Sequence, residues 1–236
     1  MTKPKNPPNA PRCAQCPYFA GAFYGGNVPG RVAEIEALRL GCRTVPAKRV
    51  IYRAGETARE LQVLHSGWAF RYKLLNGGRR QILSFALPGD TVCVRMLYLD
   101  SGAFSVQALT ACTICTFDRD DFATFVTGHA DVARGAELLC VENNAAVEEQ
   151  MADIGRRSAY ERVGRLILNL ARRMQAKGML QGLAGHLPLS QAHIADALGL
   201  TAIHVGRVLR ELQGDGVVSL RRAQFEIHDL AALERL

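Results

Sequence analysis

Two groups of residues in this 236-residue sequence have types and spacing suited to chemistry: the stretch Gln191 to Leu212, and seven cysteines, two of them in Cys13-x-x-Cys16. In QAHIADALGLTAIHVGRVLREL, Ile194 and Leu198 stand one helical turn apart, and Ala195 is small enough for another helix to cross closely. Gly199 closes this first helix, because glycine takes the left-handed conformation at little cost, and Thr201 suits the N-cap of a second. In that second helix Val205, Val208, Leu209 and Leu212 share one side, so Ile203, Arg207 and Arg210 face outward. The pattern predicts a helix-turn-helix whose exposed face enters a DNA groove; an ordinary helical hairpin with a charged outer face is the structural alternative.

Downstream, Val217 to Leu220 and Phe225 to His228 are short β-prone runs separated by Arg221, Arg222, Ala223 and Gln224, a hairpin with a basic tip. It completes a winged helix. The chain carries 29 Lys and Arg against 22 Asp and Glu, a net charge of +7, and its pI of 9.2 fits a polyanionic partner. No apolar run approaches the roughly 20 residues that span a bilayer, and the N-terminus lacks a signal-peptide stretch, so a cytoplasmic protein is expected. In a reducing compartment an odd number of cysteines argues for packing residues, metal ligands or redox-active thiols rather than disulfides.

The elements that must position these residues follow in order. Residues 1 to about 12, rich in Pro, Asn and Lys, are expected to be disordered, and a short helix follows from Arg31 to Leu40. From about Cys42 to Asp118 come β-prone runs at 50–52, 61–64, 69–75, 81–86, 105–109 and 113–117, punctuated by Gly55, Gly67, Gly77-Gly78 and Gly89-Asp90. This is the pattern of a β-roll. A helical tract from Asp131 to Arg156 then places Cys140, Asn144, Val147, Met151 and Ile154 on one stripe at alternating spacings of four and three. We read it as a dimer seam in which Asn144 fixes register; packing against the chain's own β-domain is the alternative. A further helix, Ala159 to Met174, leads to the hairpin. The expected fold is α+β, divided as a cysteine-bearing segment (1–30), a sensor β-roll (31–130), a dimerisation helix (131–157) and a winged helix (158–236).

In this order, and through LPGD at 87–90, SVQALTACTIC at 105–115, SAYERVGRLILNLARR at 158–173 and the helix-turn-helix, the chain resembles the CRP/FNR family of bacterial regulators over nearly its whole length. The resemblance implies a cyclic-nucleotide-binding-like β-roll and a homodimer reading a palindromic operator on double-stranded DNA, with RNA polymerase as a further partner. Two recognition helices related by a two-fold axis meet successive major grooves about 34 Å apart. Arg207 aligns with the family's recognition-helix arginine, suited to a bidentate contact with guanine. The family often has glutamate where this chain has Ile203, which can meet only apolar groups such as a thymine methyl. His204 and Arg210 are candidate further contacts, with Ser190, Gln191 and Thr201 as phosphate anchors and Arg221 and Arg222 on the wing.

The signal is less plainly written. Members that bind cyclic AMP carry Gly-Glu and Arg-Ser pairs; here Cys93-Val94 and Phe104-Ser105 stand near those places, so cyclic AMP is not expected. The oxygen-sensing branch holds an iron–sulfur cluster on four cysteines, and Cys13, Cys16 and Cys115 match three of them. No cysteine occurs between Cys16 and Cys42, which leaves the fourth ligand to Cys42, Cys93 or Cys112. A thiol switch or another ligand is the alternative, and His65, His129 and His193 leave haem as a minor one. An enzyme is not expected, since GxSxG, Walker and HExxH patterns are all missing, and Glu148 and Glu149 read as solvated. The rival is an interaction protein holding zinc between Cys13-x-x-Cys16 and Cys112-x-x-Cys115.

Overall fold

A computed structural model describes residues 12–19, 29–57, 59–92 and 94–236. The expected disorder of the first dozen residues, Arg12 apart, and any role of Cys93 lie outside the described residues. The order is α1 (Val32–Leu38), β1 (Arg39–Val45), β2 (Val50–Tyr52), β3 (Glu60–Ser66), β4 (Ala69–Leu74), β5 (Arg80–Ala86), β6 (Ser105–Ala108), β7 (Cys112–Asp118), α2 (Arg119–Gly128) and α3 (Ala130–Arg156). After these come α4 (Ala159–Ala176), β8 (Ala184–His186), α5 (Gln191–Leu198), α6 (Ala202–Gly214), β9 (Val218–Arg221), β10 (Gln224–Ile227) and α7 (Leu230–Glu234). The class is α+β, as the sequence predicts.

The chain divides into two compact units, residues up to Lys73 with Leu83–Asn144, and Leu74–Ile82 with Ala145–Leu236. In the first unit one sheet runs β1-β7-β3 and another β2-β6-β4-β5. β7 is central in its sheet and buried on both sides, which is why its sequence, CTICTFD, lacks a polar alternation. Successive side chains of a strand point to opposite faces. On one face Cys112 and Ile114 pack with Val45, Leu64, Ala69, Val92 and Val106 between the sheets. On the other, Cys115 and Phe117 meet Leu61, Val63, Phe122 of α2 and Val132 and Ala136 of α3. The ring of Phe122 meets that of Phe117 edge-on at 5.4 Å.

Helix α2, which the sequence pattern did not reveal, starts where the Asp118 carboxylate accepts from the amides of Asp120 and Asp121. Strand β1 was equally hidden. Helix α1 ends at Leu38, two residues before its expected end, because Arg39 to Val45 pairs antiparallel with β7.

In the second unit α4 opens on a capping box, in which the Ser158 hydroxyl accepts from the Glu161 amide and the Glu161 carboxylate accepts from the Ser158 amide. Its inner face buries Val163, Ile167, Leu170 and Met174. At the end of α3, Glu149 and Asp153 both accept from Arg157 and Arg165, so Glu149 is ion-paired rather than merely solvated. The three-stranded sheet β8-β10-β9 closes the unit.

The turn between β3 and β4 depends on Gly67. Its φ is +85°, and a Cβ there would stand 2.2 Å from the Ala111 carbonyl oxygen. Gly67→Ala is therefore expected to lower stability by roughly 2 kcal/mol or more, seen as a lower urea midpoint with an unchanged slope.

Candidate nucleic-acid interface and thiol cluster

Helix α5 begins at Ser190, whose hydroxyl accepts from the His193 amide while His193 Nδ1 accepts from the Ser190 amide, 3.2 Å away. Burial first, and the Arg80 guanidinium second, hold the His193 imidazole below its ordinary pKa, which keeps it neutral and able to accept. Ile194, Ala195, Ala197 and Leu198 are buried, as expected of the inner stripe. Gly199 ends the helix at φ 66°, and its amide reaches back to the Ala195 carbonyl. Thr201 then caps α6, accepting from the His204 amide. The tight turn is thus closed from both sides by the residues whose types predict it.

On α6, Val205, Val208 and Leu212 are buried. Ile203 is 79% exposed, and His204, Arg207 and Arg210 are exposed beside it. Arg210 is tied along its own helix, its Nε donating to the Gly206 carbonyl at 3.2 Å. Gln191 crosses to α6, its Oε1 2.8 Å from where a Cβ on Gly206 would stand. Ser190 and Thr201 use an oxygen lone pair each as caps, which leaves Thr201 its hydroxyl proton for an outside acceptor. The sequence missed one partner of this hairpin: Asp196 of α5 accepts from Arg80 Nη2 at 2.6 Å and Nε at 2.9 Å. A pairing 116 residues distant in sequence leaves no local signal.

Strands β9 and β10 pair antiparallel, with Arg221 opposite Gln224. That leaves Arg222 and Ala223 as the two-residue turn, with φ 49° and 66°. A turn with both central residues at positive φ matches the twist of a hairpin but ordinarily uses Asn and Gly. Here it carries the exposed cation Arg222 next to exposed Arg221.

The proposed seam stripe is open to solvent in the single chain. Val147 is 53%, Met151 69% and Ile154 42% exposed, and Cys140 and Asn144 are exposed as well. The N-terminal turns of α3 pack on the β-domain through Val132 and Ala136. Val141, 65% exposed, flanks the stripe and was not picked out by the spacing.

The thiols converge in part. Cys13 and Cys16 flank a short 3-10 turn at Cys13–Gln15, and with Cys115, His65 and Arg39 they line a cavity of about 20 Å³, room for roughly one water. Cys16 Sγ lies 3.6 Å from His65 Nδ1. Cys42 Sγ lies 3.0 Å from Cys115 Sγ, and Arg39 Nη1 points at Cys42 from 3.9 Å. Burial pushes the Cys13 thiol up to about 11.

Three of these cysteines are the ones the resemblance suggests as iron–sulfur ligands, and the structure brings them together with Cys42. With Cys42 as the fourth ligand the arrangement does not fit a four-iron cluster. Such a cluster takes four separated thiolates, whereas Cys42 and Cys115 touch each other, and among the described residues no three His, Cys, Asp or Glu converge on a metal position. Zinc held between the two CxxC pairs does not fit this strand geometry. Cys112 and Cys115 are three apart on a strand and lie on opposite faces, the Cys112 thiol donating to the Trp68 carbonyl at 3.1 Å.

The candidate haem histidines have other roles. His65 meets Cys16, His129 Nδ1 lies 2.7 Å from the Phe125 carbonyl oxygen, and His193 belongs to the α5 cap. Of the positions considered for a cyclic nucleotide, the Ser105 hydroxyl accepts from the Ala54 amide at 3.0 Å and Phe104 lies 5.7 Å beneath the Arg71 guanidinium. Arg71 in turn donates to the carbonyls of Thr91 and Val92.

Comparison with known proteins agrees with both units. Residues 161–236 match the Crp-like helix-turn-helix domain, and residues 42–129 match the cyclic nucleotide-binding domain. The chain is 31% identical to the nitrogen fixation regulation protein FixK of Bradyrhizobium diazoefficiens, over 97% of this chain and 95% of that one. It is 27% identical to the transcriptional activator protein FnrL of Cereibacter sphaeroides, over 93% and 89%. The solved structure of FixK2 from Bradyrhizobium japonicum matches with a TM-score of 0.75 at 27% identity, covering 83% of this chain and 96% of that one.

The cap on α6 gives a direct check of the hairpin's local construction. Thr201→Ala removes one accepted amide and is expected to cost about 1 kcal/mol, read as a lower thermal midpoint, with Thr201→Ser restoring most of the loss.

Proposed function

Because the chain belongs to the CRP/FNR family of DNA-binding transcription regulators, we propose that it reads a palindromic operator as a homodimer and responds to a redox or oxygen signal through its β-roll. One observation carries the DNA reading: the second helix of the hairpin buries Val205, Val208 and Leu212 and turns Ile203, His204, Arg207 and Arg210 to solvent. In the major groove Arg207 donates in parallel to guanine O6 and N7, and Ile203 meets a thymine methyl. Arg221 and Arg222 approach the flanking backbone from the wing, and Ser190, Gln191 and Thr201 approach it from the two helix N-termini.

The uncovered stripe of α3 supports pairing with a second copy. An apolar row of this length facing water favours a partner, and regulators of this family act as dimers. Cys140, Val147, Met151 and Ile154 form the seam, and Asn144 sets its register. A two-fold axis then presents two copies of α6 to successive major grooves. We propose that the DNA-bound dimer engages RNA polymerase and works in the cytoplasm without a membrane; no helix among the described residues is long and apolar enough to cross one. A cyclic nucleotide is not part of this reading. Near the segment where the phosphate would bind, Phe104 replaces a cation, and Arg71 is already bonded to backbone carbonyls.

Arg207→Ala is expected to remove about 1–3 kcal/mol of discrimination per half-site and to leave a weak, salt-sensitive affinity for any duplex. A gel-shift titration with selected operator against random DNA measures both, and undiminished preference for the operator would refute the assignment.

Val147→Asp places a charge in the seam of each subunit and is expected to weaken the dimer by on the order of 3 kcal/mol. Sedimentation velocity should then show monomer at concentrations where the parent protein is dimeric, with operator affinity falling in parallel.

A further inference from the structure

The contact between Cys42 and Cys115 has no counterpart in the readings above. Cys42 lies on β1, an edge strand, and Cys115 lies on central β7, and the two are direct partners in the antiparallel register. Opposite residues in such a pair have Cα atoms about 4.5–5.5 Å apart, inside the roughly 4.4–6.8 Å range that a disulfide accepts. The sulfurs are already 3.0 Å apart. Both the register and this separation put a disulfide within reach of side-chain rotation.

The two thiols differ in what surrounds them. Cys42 is half-buried at the sheet edge beside the buried guanidinium of Arg39. Cys115 is 9% exposed and packed against Val63 and Phe117 in the helix-covered core. A half-buried thiol beside a cation, backed by a buried thiol, has the asymmetry of a nucleophile and its resolving partner.

We propose that Cys42 and Cys115 form a redox-active dithiol that hydrogen peroxide converts into a cross-strand disulfide. The Cys42 thiolate attacks one peroxide oxygen, the O–O bond breaks, and the departing hydroxide takes a proton to become water. This leaves a sulfenic acid on Cys42. The Cys115 sulfur then attacks the Cys42 sulfur, the S–O bond breaks, and the hydroxide leaves as water with the Cys115 proton. In sum, two thiols and one peroxide give one disulfide and two waters, with the two sulfurs oxidised by two electrons and the peroxide reduced by two. Cys112 faces the opposite side of β7 with its thiol bonded to the Trp68 carbonyl, and Cys140 stands exposed on α3; neither is placed to compete for Cys115.

The proposal rests on the reading of the β-roll as a redox-responsive unit and names its chemistry, but the bond itself is measurable without DNA. Full-length protein, purified without oxygen and reduced, is treated with one equivalent of hydrogen peroxide, alkylated, and digested without reductant for mass spectrometry. The expected result is one linked peptide pair joining Cys42 to Cys115, lighter by two hydrogen atoms and reversed by dithiothreitol. Cys42→Ser should abolish the link and slow peroxide consumption roughly ten-fold or more, and Cys115→Ser should leave a sulfenic acid on Cys42 that dimedone traps. Arg207→Ala should form the link as the parent does, so that a failure of operator recognition is told apart from a failure of the thiol chemistry. A link between Cys13 and Cys16 in place of this one, or oxidation of Cys42 with no link to Cys115, would overturn the proposal. So would a brown anaerobic protein carrying iron and acid-labile sulfide that loses its colour in the Cys115→Ser variant.

Discussion

The burial of β7 on both faces is the constraint from which most of the first unit follows. With β1 and β3 bonded along its two edges, its side chains alternate between a layer shared with the second sheet and a layer covered by helices. Ile114 and Phe117, each fully buried, anchor the two layers. Loss of a large apolar side chain here costs several kcal/mol in either layer. The same strand runs directly into the Asp118 cap of α2, and α2 into α3, so a change at Cys115 sits four residues before the helical tract begins.

What the sequence announced and what it concealed divide along physical lines. The helix-turn-helix was fully legible because its signals are local: an apolar stripe at Ile194 and Leu198, a left-handed glycine, and a threonine cap lie within eight residues of one another. The six strands expected between Val50 and Phe117 also appear, because glycine turns mark their ends. Strand β1 was not legible. Arg39-Leu-Gly-Cys-Arg-Thr-Val shows no alternation, and a register break between Arg39 and Gly41 disturbs its period. Strand β8 is three residues, Ala-Gly-His, too short to carry a pattern.

The thiol site shows the same division. Cys13-x-x-Cys16 is visible as a motif, but the partner of Cys115 is Cys42, 73 residues away and on the unrecognised strand. Pairing at that distance is set by sheet register, which no spacing rule contains. The zinc alternative failed for a reason that the strand period could have supplied: CxxC in an extended strand points its two sulfurs apart, whereas in a turn it gathers them. Likewise Glu149 reads as a solvated residue on a helix surface until the turn after α3 brings Arg157 and Arg165 beside it.

Ile203 makes no demand on the fold. It is 79% exposed, lies in the first turn of a helix held by Thr201 and by Val205 behind it, and anchors nothing else. A side chain this exposed can be exchanged at almost no thermodynamic penalty. Under the proposed reading of α6, a single codon change at this point would alter the operator preference without disturbing the fold that presents it.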